Sequence, residues 1–193
     1  MSEAAANLLL ADLYRFLGRS LAYPDRGWLA EGHLAALVEL LAELGWDEAI
    51  RELESLPPDP ADLLEALRLE HTRLFINALP ATVAPPYGSV HLPGGGMLNT
   101  AFTAKTRQFY RQHGFELAPG TDLADYLPLE LEFLARLGEE GEESAGEEFL
   151  AGYFRPWFGP FRDRVFEGAK LPFYRIVVEL VDFFTREEED DGY

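Results

Sequence analysis

Apolar residues recur at intervals of three and four along most of the chain. Between Asn7 and Leu21 they fall at Leu9, Leu13, Phe16 and Leu17 and at Leu10, Tyr14 and Leu21, one broad face of an amphipathic helix. Tyr23-Pro24-Asp25-Arg26-Gly27 reads as a turn, after which Leu34, Leu37, Val38, Leu41 and Leu44 predict a second helix that stops at Gly45. Asp47 to Ser55 predicts a short third. Pro57-Pro58-Asp59-Pro60 is a start signal: Asp59 is placed to cap, and Pro60 occupies the first helical position, where its missing N–H costs nothing. The helix that follows carries Leu63, Leu64, Leu67, Leu74 and Phe75 on its apolar stripe as far as about Asn77.

Punctuation then interrupts the pattern. Residues 78–96 contain Pro80, Pro85, Pro86, Pro93 and four glycines, which predicts a long loop of the kind that usually carries function. Helical spacing resumes through Leu98, Phe102, Lys105, Phe109 and Tyr110 and ends at Gly114. Proline is tolerated in a helix only in the first turn, so Pro128 places the next N-cap at Asp125, ahead of the stripe Leu131, Phe133, Leu134 and Leu137. The acidic, glycine-broken stretch 138–146 reads as a solvated connection. Segments 149–154, 157–168 and 171–186 are again helical, with Pro156 and Pro172 at first-turn positions. The sum is an all-α, single-domain helical bundle of about eight or nine helices over 1–186, followed by an acidic, frayed tail at 187–193.

Composition narrows the function classes. A 193-residue chain that is 48% hydrophobic can bury one sizeable core. Its 34 acidic residues against 16 basic ones give a net charge of −18, which repels phosphate backbones and anionic membrane surfaces; it fits a cationic partner as well as simple solubility. There is no cysteine, hence no disulfide, thiolate metal site or cysteine nucleophile. The N-terminus lacks the basic start of a secretory signal, and no run of eighteen uncharged apolar residues occurs, so the expectation is a cytoplasmic protein without stable membrane insertion.

Catalytic signatures are missing. The residues three before His33, His71, His91 and His113 are Ala30, Arg68, Gly88 and Tyr110, so the Glu-x-x-His pairs of helical di-iron sites do not occur. HExxH, GxSxG and the phosphate-cradling GxxxxGK[ST] are also absent, and Leu92-Pro93-Gly94-Gly95-Gly96 is not followed by Lys-Ser/Thr. No cofactor or metal is expected. Glu130 and Glu132 diverge on a helix, one read as solvated and the other as paired with an arginine, while His71 titrates near neutrality unless it is buried. A metal-dependent hydrolase using Glu130, Glu132 and His71 is the enzymatic alternative. A permanent acidic scaffold subunit of a redox complex is another.

Three stretches in order resemble the TorD/DmsD family of redox-enzyme maturation chaperones. Glu70-His71-Thr72-Arg73-Leu74-Phe75 with Ala84-Pro85-Pro86-Tyr87-Gly88-Ser89-Val90 is similar to the family's E-Y-x-R-L-F helix end and P-P-[YW]-x-S-[VI] loop. Phe109-Tyr110-Arg111-Gln112-His113-Gly114, followed by Asp125-Tyr126-Leu127-Pro128-Leu129-Glu130-Leu131-Glu132-Phe133, resembles R-x-F-Y-x-x-x-G and P-x-D-H-[LI]-x-x-E-L-x-F. Pro156-Trp157-Phe158-Gly159-Pro160-Phe161 with Pro172-Phe173-Tyr174-Arg175 is like the closing P-W-x-x-x-F and F-Y elements. The resemblance implies an all-α chaperone, not an enzyme. Its partners would be the twin-arginine leader, and the apoprotein, of a molybdenum enzyme of the dimethyl sulfoxide reductase type, held until cofactor insertion and export. It also allows a monomer or a helix-swapped dimer and weak guanine nucleotide binding. Leu74, Phe75, Pro86, Tyr87, Asp125 and Tyr126 match the family's peptide-binding positions, although Leu74, Phe75 and Tyr87 equally suit a core and Asp125 a plain cap. Tyr126 stands where the motif has histidine, as does Tyr153 for many relatives. A twin-arginine leader offers two cations followed by an apolar helix, which calls for carboxylates beside an aromatic or leucine-lined groove.

Overall fold

Helix α1 spans Glu3–Leu21, α2 Arg26–Ala30, α3 His33–Glu43, α4 Asp47–Leu53 and α5 Pro60–His71. The structure is a computed structural model that describes residues 3–30, 32–79 and 81–187; Pro80 and tail residues 188–193 lie outside these. The ends of the first helices follow local chemistry. Asp59 accepts hydrogen bonds from the Ala61 and Asp62 N–H groups at 2.9 and 3.2 Å, and Gly45 takes the left-handed φ of 72° just past α3. Helix α2 begins inside the segment read as a turn and continues past it to Ala30. The Asp25 carboxylate accepts from the Trp28 N–H at 2.9 Å and the Trp28 ring is buried, so one cap and one aromatic anchor hold a helix too short to display a period.

Helix α5 widens into a π turn over Thr72–Ile76, closed by the Asn77 N–H on the Thr72 carbonyl at 2.8 Å. Glu70 ties this widened end to the turn between the last two helices. It accepts from Arg73, at 2.8 and 2.9 Å, and from the Lys170 and Leu171 amides, while Arg73 also donates to the Gly168 carbonyl at 2.6 Å. Burial alone would raise the Glu70 carboxyl, but these donors hold it below its usual value.

The remaining elements are α6 Gly88–His91, α7 Ala101–Gln112, α8 Leu127–Glu140, α9 Glu143–Phe149, α10 Arg155–Gly168 and α11 Pro172–Thr185, with a second π turn at Leu150–Phe154. Thr100 and Thr103 form a reciprocal capping box that starts α7, leaving Leu98 outside the helix and exposed. The stretch 138–146 is solvated over 139–144 as expected, but it is mostly helical: α8 runs through Gly138 to Glu140, the chain turns at Gly141 with φ 71°, and α9 buries Ala145. Short α6 interrupts the long loop. Among the described residues the bundle is all-α, its one β-type pairing being a bridge between Tyr87 and Tyr126, and no helix is long and apolar enough to cross a membrane.

Helix α11 is the centre of the bundle. Phe173, Tyr174, Ile176, Val177, Val178, Leu180 and Val181 all have 0% exposure and form one broad buried face, opposite a polar face on which Arg175 pairs with Glu52 and Asp182 with Arg162. It packs on α1, α4 and α10, and the Tyr174 hydroxyl donates to the Leu67 carbonyl at 3.1 Å. Helices α1 and α8 run antiparallel and close together because each has a glycine at the crossing. A Cβ on Gly18 would stand 3.3 Å from the Pro128 carbonyl, and one on Gly138 would stand 3.4 Å from the Asn7 carbonyl. Arg15 of α1 pairs with Glu132 and Glu139 of α8 along the edge of the seam.

This contact yields a contrast between glycines. Gly18→Val should lower the unfolding free energy by about 1–3 kcal/mol through overpacking. Gly146→Ala, in α9 with nothing within 4 Å of the new Cβ, should raise it by about 0.5–1 kcal/mol through helix propensity. Urea denaturation measures both; a neutral Gly18→Val would show that the two helices are not held at contact distance.

Candidate functional site

The returning loop and the start of α8 are joined by a short main-chain clasp. The Leu127 N–H donates to the Pro86 carbonyl and the Gly88 N–H to the Asp125 carbonyl, each at 2.9 Å, flanking the Tyr87–Tyr126 bridge. The Asp125 carboxylate accepts a third bond from the Ser89 N–H at 2.8 Å. Asp125 therefore does not cap α8, whose N-cap residue is Tyr126 without a side-chain cap bond. The physical reason is that the Pro86 carbonyl already satisfies the Leu127 N–H, whereas the free N–H groups at the start of α6 need an acceptor. Gly88 is required at this point: a Cβ there would stand 2.7 Å from the Phe102 ring and 2.8 Å from the Trp157 indole nitrogen.

The outer face of the clasp is aromatic and acidic. The half-buried rings of Tyr87 and Tyr126 lie with centroids 5.2 Å apart and planes 32° from parallel. The Tyr87 hydroxyl donates to Asp122 Oδ1 at 3.1 Å, and the Leu123 N–H donates to the same oxygen at 2.8 Å. Burial and then the Asp122 charge push the Tyr87 hydroxyl up, and the same causes push Tyr126 up to about 12, so both remain protonated donors. Asp122 is exposed, and sequence reasoning missed it. Its only signal is an acidic residue four positions before Tyr126, which no periodicity or motif distinguishes.

Of the six positions expected at the site, the structure brings Pro86, Tyr87, Asp125 and Tyr126 together. Leu74 and Phe75 lie beneath the loop, in the core, with the Leu74 carbonyl accepting from the Ala84 N–H at 2.8 Å. Leu74 has 0% exposure, and Phe75 packs edge-on to His71 and Tyr174 at 5.0 and 5.2 Å. Tyr153 belongs to a different aromatic cluster, 4.7 Å from Phe109 and stacked on Phe149 at 5.5 Å, with the Lys105 ammonium 5.0 Å over its ring.

The structure does not assemble the enzymatic alternative. Glu132 pairs with Arg15, and His71 is buried against the Leu21 carbonyl at 3.0 Å. A carbonyl only accepts, so the His71 proton sits on Nε2, and burial lowers its pKa, removing the near-neutral titration expected of an exposed ring. Glu130 is neither solvated nor paired with an arginine. Among the described residues, no three His, Asp or Glu side chains are grouped so as to hold a metal.

Glu130 lies behind the clasp with 0% exposure. Neither of its oxygens makes a hydrogen bond among the described residues, and neither do Asp125 Oδ1, Ser89 Oγ or the Trp157 N–H. Burial, then the charge of Asp125, raises its carboxyl well above the usual value; the nearby Trp157 indole opposes this weakly without reaching hydrogen-bond geometry. The folded chain thus keeps a proton that the unfolded chain releases near pH 4.5. Because the native state binds more protons, stability contributed by this site is present below pH 4.5 and falls as pH rises towards the folded pKa, by at most about 1.4 kcal/mol per pH unit. Glu130→Gln cannot titrate, so its stability relative to wild type should increase between pH 4.5 and 8 in urea denaturation; a constant difference would mean that Glu130 is ionised in the folded protein.

Comparison with known proteins agrees with this architecture. The family model for the nitrate reductase delta subunit matches residues 41–163. The chain is 34% identical over 120 residues to the Tat proofreading chaperone DmsD of Salmonella paratyphi A and 33% identical over 120 residues to that of Salmonella typhimurium. These matches take in 60% of this chain and 57% of the relatives' length. A redox enzyme maturation protein from Archaeoglobus fulgidus superposes with a TM-score of 0.60 over 91% of both chains at 23% identity, a likeness of fold. The matched family region includes the loop, the clasp and both tyrosines, and the chain belongs to the nitrate reductase delta subunit family, the grouping of the TorD/DmsD proteins that its motifs resemble.

Proposed function

We propose that this protein is a cytoplasmic maturation chaperone that binds the twin-arginine leader of a molybdenum-containing redox enzyme of the dimethyl sulfoxide reductase type. It holds the apoprotein until the cofactor is inserted and performs no chemistry on it. The observation that carries this reading is the clasp, where Tyr87 of the loop meets Tyr126 and the exposed Asp122 of the segment leading into α8, while Leu79 on the loop and Met97 and Leu98 just past it are exposed. Apolar side chains suit the leader's hydrophobic stretch, and the carboxylate and the net charge of −18 suit its arginines. Family membership and the Tat proofreading role for which the Salmonella relatives are named support the same role. Pro86, Tyr87, Asp125 and Tyr126 form the contact region, Asp125 acting through the loop it anchors, with Leu74 and Phe75 supporting it from within.

A second reading, a subunit that stays with the mature enzyme, draws on the family's description as a subunit. Constant stoichiometry with the mature client on co-purification would favour it.

Titration calorimetry with a synthetic twin-arginine leader from a molybdoenzyme encoded beside this gene tests the proposal. Wild type should bind, and Tyr87→Ala and Tyr126→Ala should each weaken binding by about tenfold or more, the loss expected from removing a buried aromatic anchor. Absence of wild-type binding to such leaders would rule the function out.

A further inference from the structure

The exposed carboxylate at the clasp lies outside every motif that pointed to the site. We propose that Tyr87, Tyr126 and Asp122 form a subsite for the guanidinium of one arginine of a cationic peptide, and that Asp122 makes it prefer arginine to lysine. This deepens the peptide-binding reading above and rests on it.

Asp122 is oriented but unpaired. Its Oδ1 is held by the Tyr87 hydroxyl and the Leu123 N–H, yet no lysine or arginine among the described residues forms an ion pair with it. Some surface acids are committed to arginines, as Asp25 is to Arg19 and Asp182 to Arg162; Asp122 differs from the other unpaired ones in having two neutral donors and a pair of tyrosine rings beside it. A carboxylate fixed by neutral donors keeps its full charge for an incoming cation. The field is consistent with this, because the Asp122 charge raises the hydroxyls of both neighbouring tyrosines.

Geometry limits how the cation sits. A plane sandwiched between two rings needs about 7 Å between centroids, two contacts of about 3.5 Å. The tyrosine rings are 5.2 Å apart, so nothing fits between them. A guanidinium can lie on the outer face of the pair with its N–H edge turned to Asp122, combining a cation–π contact with a charge-assisted bond. Lysine, a point charge without a flat face, satisfies only one of these contacts at a time. Asp125 and Glu130 cannot substitute: both have 0% exposure, and Asp125 is engaged with Ser89. An arriving peptide meets Asp122 before either of them.

The test uses the full chain and a synthetic peptide with two consecutive arginines followed by an apolar stretch, together with versions in which each arginine is replaced by lysine. Wild type should lose about tenfold in affinity for one of the lysine versions. Asp122→Asn, which keeps an acceptor for Tyr87 and Leu123, should weaken the arginine peptide by a similar factor and abolish the difference between arginine and lysine. Equal wild-type affinity for the arginine and both lysine peptides overturns the subsite without reference to any variant. So does an Asp122→Asn protein with an unchanged thermal midpoint and unchanged affinity, and in both cases leader binding itself stands. A wild type that binds none of the peptides overturns the subsite and the proposed function together.

Discussion

The hydrogen bond from the Ser89 amide to the buried Asp125 carboxylate is the contact on which the candidate site depends. A four-residue helix has too few internal bonds to persist alone, and cap substitutions of this kind cost about 0.5–2 kcal/mol in ordinary helices. Here the capping residue belongs to another segment, so one bond both terminates α6 and fastens the loop to α8. The two flanking main-chain bonds then fix Tyr87 beside Tyr126. Without this clasp the two rings would lie on separate segments with nothing to hold them in register.

The arrangement carries an electrostatic cost that the interior meets by protonation. Two carboxyl groups with no exposure, Asp125 and Glu130, cannot both be charged cheaply where water is excluded. Glu130, which has no hydrogen-bond donor among the described residues, is pushed towards its neutral form by burial and then by the neighbouring Asp125. One Asp125 oxygen is bonded within the clasp, while both Glu130 oxygens lie unbonded behind it. The α8 side is held by α1, through the paired glycine approaches and the Arg15 ion pairs, and the loop side is held by the clasp together with the Ala84 N–H on the Leu74 carbonyl and the His91 ring on the Pro85 carbonyl.

Local signals in the sequence were read reliably. Asp59 and Pro60 start α5, Gly45 and Gly114 follow the ends of α3 and α7, and the stripe of α11 is buried. Helices α2 and α6 escaped because five and four residues are too few to show a period. Asp125 was expected to cap the helix beside it, yet its acceptor went to Ser89, 36 positions away. Glu132 met an arginine as expected, but Glu130 turned inward, a distinction that two glutamates two positions apart on one helix do not reveal.

The sequence by itself determined the all-α class, most helix boundaries, the long Pro/Gly loop and the family, because propensity, capping and 3/4 spacing act over a few residues and leave their record locally. The tertiary structure alone decided which of the motif residues stand together, that Leu74 and Phe75 face the core, that Glu130 is buried beside Asp125, and that Asp122 meets Tyr87. Those outcomes depend on which surfaces two distant segments present to each other once α8 is set against α1, and no short stretch of sequence encodes that geometry.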